Sequence, residues 1–217
     1  LVIVASWGVA PSASRVAQRT DPPAPVPWRR LWPVYLLCVP LYAAVFMTTT
    51  QVPFLLHADG VTSPSVQSGV LAMAAMWNAI GAALYGRVRD RIGGQQTFTT
   101  SLALMAIGQA VLGLSHHPLP MALGCALAGS GAGLAVPHVP AMVLARVQGV
   151  ARGRALGLMY SSLFFGSFCS PLFIAPVAAV LGRHGALLTS ATLLAAGALA
   201  ALLLARKSGD AGATSEN

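Results

Sequence analysis

The chain has 217 residues, 56% of them apolar and only 8% charged, with a formal net charge of +8. A soluble domain of this size needs a charged surface, and this composition cannot supply one. The basic residues lie in short segments between apolar runs, without the aromatic-interleaved basic face of a nucleic-acid binder, so no nucleic-acid partner is expected.

Residues 1–10, "LVIVASWGVA", are too short to span a bilayer and lack the basic start of a signal peptide. They read as the end of a preceding transmembrane helix. Residues 11–30 hold five prolines and four arginines and read as a cytoplasmic linker. Residues 31–205 then read as a six-helix transmembrane domain and 206–217 as a cytoplasmic tail. The six runs are Leu31–Val52, Val66–Gly86, Thr97–Leu114, Leu119–Ala145, Ala155–Leu181 and Gly185–Ala205. Each approaches the roughly 20 residues that cross a bilayer as a helix. None contains Arg, Lys, Asp or Glu, and none shows the period-two alternation of a barrel strand. The fold class is all-α membrane. Cys38, Cys125 and Cys169 each lie alone in an apolar run, with no ligand spacing around them. Neither a disulfide framework nor a metal or cofactor is expected.

Positive charge sets the orientation. Twelve of the thirteen Lys and Arg residues fall in the linker, in residues 86–95, after the fourth span and in the tail. Those segments share one side. The opposite side holds "QVPFLLHADGVTSPS", "SHHPLP" and "GRHG", with Arg183 alone. Both ends of the six-span unit are therefore expected in the cytoplasm.

The segment "GRVRDRIGGQ" places Gly86, Asp90, Arg91 and Gly93 in a G-x-x-x-D-R-x-G order. It resembles the loop signature of the major facilitator superfamily, which joins the second and third helices of each six-helix half. Gly94 and Gln95 stand where that family usually has basic residues. The fifth span keeps Gly157, Gly166 and Pro171 at the spacing of the family's antiporter motif, with Ser170 and Ile174–Ala175 departing from it. "RGRALGL", "QVPFLL" and "GAGLAVP" also look like C-terminal halves of bacterial drug-efflux facilitators.

The resemblance implies one half of a facilitator bundle, built as 3+3 inverted repeats and paired with an N-terminal six-helix half of the same transporter. It implies a conformational-switch loop at Gly86, Asp90, Arg91 and Gly93, and a helix-packing motif at Gly157, Gly166 and Pro171. The implied function is secondary active transport of a small organic molecule by alternating access, as proton-coupled efflux across the bacterial inner membrane. Proton-coupled metabolite uptake and a non-transporting or truncated scaffold are the alternatives. No covalent chemistry is needed, so no enzyme is expected. No acidic residue lies inside a span, so a carboxylate proton carrier would belong to the other half.

Local chemistry names the candidate residues. The first helix of each predicted triple is interrupted by prolines, Pro33 and Pro40 in one and Pro137 and Pro140 in the other. Each proline removes a backbone donor and frees a carbonyl one turn earlier, those of Gly133 and Val136 in the fourth span. Freed carbonyls at membrane depth must face protein or water, which points to a cavity wall. His138, a titratable group inside a span, is a substrate-cavity candidate. Tyr42 and Thr49, with Tyr35 on the same seven-residue repeat, are the others. Asp90 is a cytoplasmic anion with Arg146, Arg152 and Arg154 as possible partners. Asn78 shares a stripe with Ala74, Gly81, Ala82 and Tyr85, and that stripe and Gly129-x-x-x-Gly133 read as close helix contacts. "AGSGAG" raises an intramembrane protease with Ser130 as nucleophile and His138 or His184 as base. That reading is disfavoured, because Ala128 occupies the first glycine position of G-x-S-G.

Overall fold

With no water in the hydrocarbon core, a spanning segment must satisfy its backbone groups itself, and helices do so. The computed structural model describes residues 28–149 and 151–213, and every regular element there is a helix. The expectations for residues 1–10, for 11–27 of the linker and for 214–217 of the tail lie outside the described residues. The helices are α1 (Trp28–Ala58), α2 (Pro64–Ile92), α3 (Gly94–Leu114), α4 (Pro118–Leu144) and α5 (Ala151–Ala213). All five contain a stretch long and apolar enough to cross a membrane.

α5 is 63 residues long. Straight, it would reach about 95 Å, some three times a hydrocarbon core of about 30 Å. It is not straight: Gly182 breaks it with φ 73° and ψ 173°. The two limbs, residues 151–181 and 183–213, run antiparallel. Tyr35 near the start of α1 donates to the Ala155 carbonyl at 3.1 Å, and His184 lies 3.1 Å from the Gly113 carbonyl at the far end of α3. Gln95, at the start of α3, then reaches the Ala201 carbonyl at 3.2 Å.

Helix ends depart from the predicted spans. α1 continues to Ala58 and α2 to Ile92, so "RVRDRI" is the emerging end of a helix rather than a loop. No breaker precedes Gly93, so the helix continues with its charges exposed. The α2–α3 connection is then Gly93 alone, at φ 82° and ψ 160°, a region essentially confined to glycine.

α4 is the central helix, flanked by α2 and α3; α3 also packs on the second limb of α5, and α1 on the first. Apolar helices gain little from leaving lipid for one another, so close backbone approach must hold them. A Cβ on Gly129 would strike the Ala74 carbonyl oxygen, and one on Gly133 that of Asn78. One on Gly81 would lie 2.7 Å from the Ser130 carbonyl oxygen. The expected small-residue stripe is the α2–α4 seam. Gly166 does the same between the first limb of α5 and Val39 of α1.

Candidate functional site

The end of α2, the start of α3 and the end of α4 meet around one imidazole. His138 is buried near the end of α4, stacked on Phe98 of α3 with ring centroids 5.4 Å apart. Its Nδ1 lies 3.3 Å from the Tyr85 hydroxyl of α2. Its Cε1 would be 3.5 Å from a Cβ on Gly94, so the ring sits directly beneath the tight turn. The imidazole is thus tied to α2 and α3, and its hydrogen-bond partner is a hydroxyl rather than a proline-freed carbonyl.

Above it lie the residues of the loop resemblance. Gly86, Asp90, Arg91 and Gly93 are all exposed. Asp90 has no ion pair among the described residues. Two of its expected partners are engaged locally, Arg146 with the Met142 carbonyl and Arg152 with that of Val147, each at 3.0 Å.

The other cavity candidates do not join His138. Tyr42 is packed into the cluster that includes Leu41, Leu102, Val139 and Met159. Thr49 is exposed, and its hydroxyl donates back to the Phe46 carbonyl at 3.0 Å. Of the fifth-span motif, Gly166 alone meets a neighbouring backbone; Gly157 and Pro171 are exposed. Ser130 donates to the Ala126 carbonyl at 2.8 Å within the α2–α4 seam, so its hydroxyl is held by its own helix rather than by His138 or His184.

A cavity of about 600 Å³ lies elsewhere, between α1 and the two limbs of α5. Leu37, Leu41, Met47, Phe173, Ile174 and Leu193 give it apolar walls, and Ser170, Thr189 and Ser190 supply hydroxyls. No charged side chain lines it. The α1 wall is fastened by two polar groups that sequence reading missed. Fully buried Gln109 of α3 donates to the Ala44 carbonyl at 2.8 Å, and Ser170 to the Ala43 carbonyl at 3.0 Å. A lone amide inside an apolar run was the available signal for Gln109, as intramembrane polar groups find partners across helices.

Comparison with known proteins adds a family and distant relatives. The family model described as Major Facilitator Superfamily matches residues 34–217. A multidrug resistance protein MdtH from Cronobacter sakazakii is 34% identical over 74 residues, which is 34% of this chain and 18% of that protein. MdtH proteins of Shigella boydii serotype 4 and Escherichia coli K12 are each 31% identical over 74 residues, with the same coverage. The match therefore spans less than a fifth of these relatives' length.

Proposed function

Given that the chain belongs to the major facilitator superfamily, as an integral multi-pass protein of the bacterial inner membrane, we propose that it exports small, largely apolar organic molecules by proton-coupled alternating access. It does so as a six-span half, with the limbs of α5 as separate spans, docked against a second six-helix half of the same transporter. Internal symmetry supports that count. α1 with α2 and α3, and α4 with the two limbs of α5, form two triples. Each triple opens with a proline-interrupted helix and joins its second and third helices through one glycine. Those glycines, Gly93 and Gly182, adopt nearly the same conformation, φ 82° and ψ 160° against φ 73° and ψ 173°. Inverted triples are the architecture in which two such bundles rock about a site between them. Exposed Met76, Trp77 and Leu84 on α2, and Phe164, Phe168 and Leu172 on the first limb, offer apolar faces to the second half and to lipid.

In this mechanism Asp90 and Arg91, at the exposed end of α2, switch partners as the cytoplasmic side opens and closes. His138, tied to Tyr85 and stacked on Phe98, couples α4 to that turn. Tyr42, packed in the core, and Thr49, bonded to its own helix, serve α1 rather than that turn.

The observation that favours export of apolar compounds over uptake of a charged metabolite is the groove. A charged solute in an apolar site needs ion-pair partners, and this lining supplies hydroxyls only. The test is efflux of a lipophilic fluorescent dye from proteoliposomes holding both halves. An imposed proton gradient should drive efflux, and its collapse should stop it. Leu193→Trp, at an exposed groove wall position, should lower dye flux severalfold without loss of folded protein. Gradient-driven uptake of a charged metabolite, with no dye flux, would replace this reading with the uptake alternative.

A further inference from the structure

The outer ends of three elements meet in a polar cluster that the transport reading does not use. Asp59 follows α1, His116 lies between α3 and α4, and His184 opens the second limb of α5. Nδ1 of His116 is 3.2 Å from Oδ1 of Asp59, and Nε2 of His184 is 3.4 Å from the same oxygen. One donor atom from each residue falls within 4.8 Å of the others.

Hydrogen bonding decides what can stand between them. Nδ1 of His184 faces the Gly113 carbonyl oxygen at 3.1 Å, and a carbonyl only accepts, so the proton is on Nδ1. A neutral ring then points the Nε2 lone pair at a carboxylate. Oδ2 of Asp59 is also buried, 3.4 Å from that Nε2, with no hydrogen-bond partner among the described residues. Lone pairs facing lone pairs require a cation between them. It is not a neighbouring arginine: the Arg183 guanidinium donates to the Phe54 carbonyl at 3.0 Å and lies over the Phe54 ring. His117 is engaged as the α4 cap, accepting from the Leu119 N–H.

A proton or a metal ion remains, and two of the three donor separations suit the metal. Donors around a tetrahedral ion with bonds of about 2.0–2.1 Å lie roughly 3.3–3.4 Å apart. The two His–Asp separations are 3.2 and 3.4 Å. The Gly113 carbonyl on Nδ1–H is the kind of outer contact that orients a metal-binding histidine. His116, 70% exposed, leaves an entry path and an open position toward solvent.

We propose that Asp59, His116 and His184 form a divalent transition-metal site, of the class that takes Zn²⁺, on the outer face of the protein. Two imidazoles and one carboxylate suit Zn²⁺ better than Mg²⁺ or Ca²⁺, which take oxygen ligands. The ion fastens the end of α1 and the α3–α4 connection to the second limb of α5.

The test uses the purified, metal-stripped full chain in detergent, titrated with Zn²⁺, Co²⁺, Mg²⁺ and Ca²⁺. Wild type should take up one Zn²⁺ per chain and unfold several degrees higher, with no shift from Mg²⁺ or Ca²⁺. Co²⁺ should give visible absorption that Zn²⁺ removes. Asp59→Asn and His184→Gln should abolish uptake. His116→Gln, at a side chain 70% exposed that rests on the His184 ring 4.3 Å away, should weaken it at least tenfold, and His117→Gln should not change it. If a half-buried variant fails to fold, the exposed His116→Gln still decides. No stoichiometric uptake by wild type overturns the proposal. Uptake that His116→Gln leaves unchanged overturns it as well.

Discussion

Gly133→Ala should destabilise the chain, while Gly157→Ala leaves it unchanged or stabilises it. The two substitutions add the same methyl group to helical glycines. At Gly133 the methyl lands on the Asn78 carbonyl oxygen, and 2.9 Å from the Ala82 nitrogen. Both are backbone atoms of α2, so no side chain can rotate away and the helices must separate. Overpacking of this kind costs about 1–3 kcal/mol. At about 2–4 °C per kcal/mol for chains of this size, the melting temperature should fall by roughly 2–12 °C. At Gly157 nothing lies within 4 Å of the new methyl. The helical preference of alanine, up to about 1 kcal/mol, then acts unopposed. Thermal unfolding of the two purified variants checks the contrast. Equal melting temperatures would mean that α2 and α4 are not in backbone contact.

Gly182→Ala should be damaging even though the position has free space. No atom lies within 4 Å of a Cβ there, so packing gives no reason for loss. The backbone does: φ 73° with ψ 173° is glycine territory, and a side chain forced into it costs about 1–3 kcal/mol. The strain falls at the point where the second limb of α5 turns back along α3. Its relief, toward continuous helix, would pull His184 from the Gly113 carbonyl. The expected result is a lower melting temperature, together with proteolysis in residues 183–190 that wild type resists. Gly153→Ala, equally open but without positive φ, is the control and should behave as wild type. A Gly182→Ala protein as stable as that control would show that the break does not depend on glycine.

What was legible in the sequence is what charge and side-chain size report. Uncharged runs marked the apolar lengths; the twelve basic residues set an expected orientation, which awaits labelling of the two faces. Small residues at Ala74, Gly81, Gly129 and Gly133 foretold the α2–α4 seam. Helix ends were less legible. "RVRDRI" is polar, which reads as loop, yet nothing in it breaks a helix before Gly93. The cavity candidates failed to converge for a physical reason. A seven-residue repeat places Tyr42 and Thr49 on one face of a helix but cannot say what that face meets, and Pro40 lies inside the same helix. Tyr42 met the core, whereas Thr49 met its own backbone. Gln109 was missed because its partner carbonyl, Ala44, is 65 residues away. Asp59, His116 and His184 show no metal-ligand spacing in the sequence for the same reason, since His184 lies 125 residues from Asp59. The one available signal was that all three fall in segments assigned to the outer side.

Everything proposed for this protein depends on two crossings within α5 and on the turn at Gly93 facing the cytoplasm. Single cysteines at positions 95, 115, 183 and 208, in a background with Cys38, Cys125 and Cys169 replaced, test both at once. With a membrane-impermeant thiol reagent on intact cells, positions 115 and 183 should label. Positions 95 and 208 should label only when the cytoplasmic face is opened. External labelling of position 208 would make α5 a single crossing, and external labelling of position 95 would invert the protein; either contradicts the account.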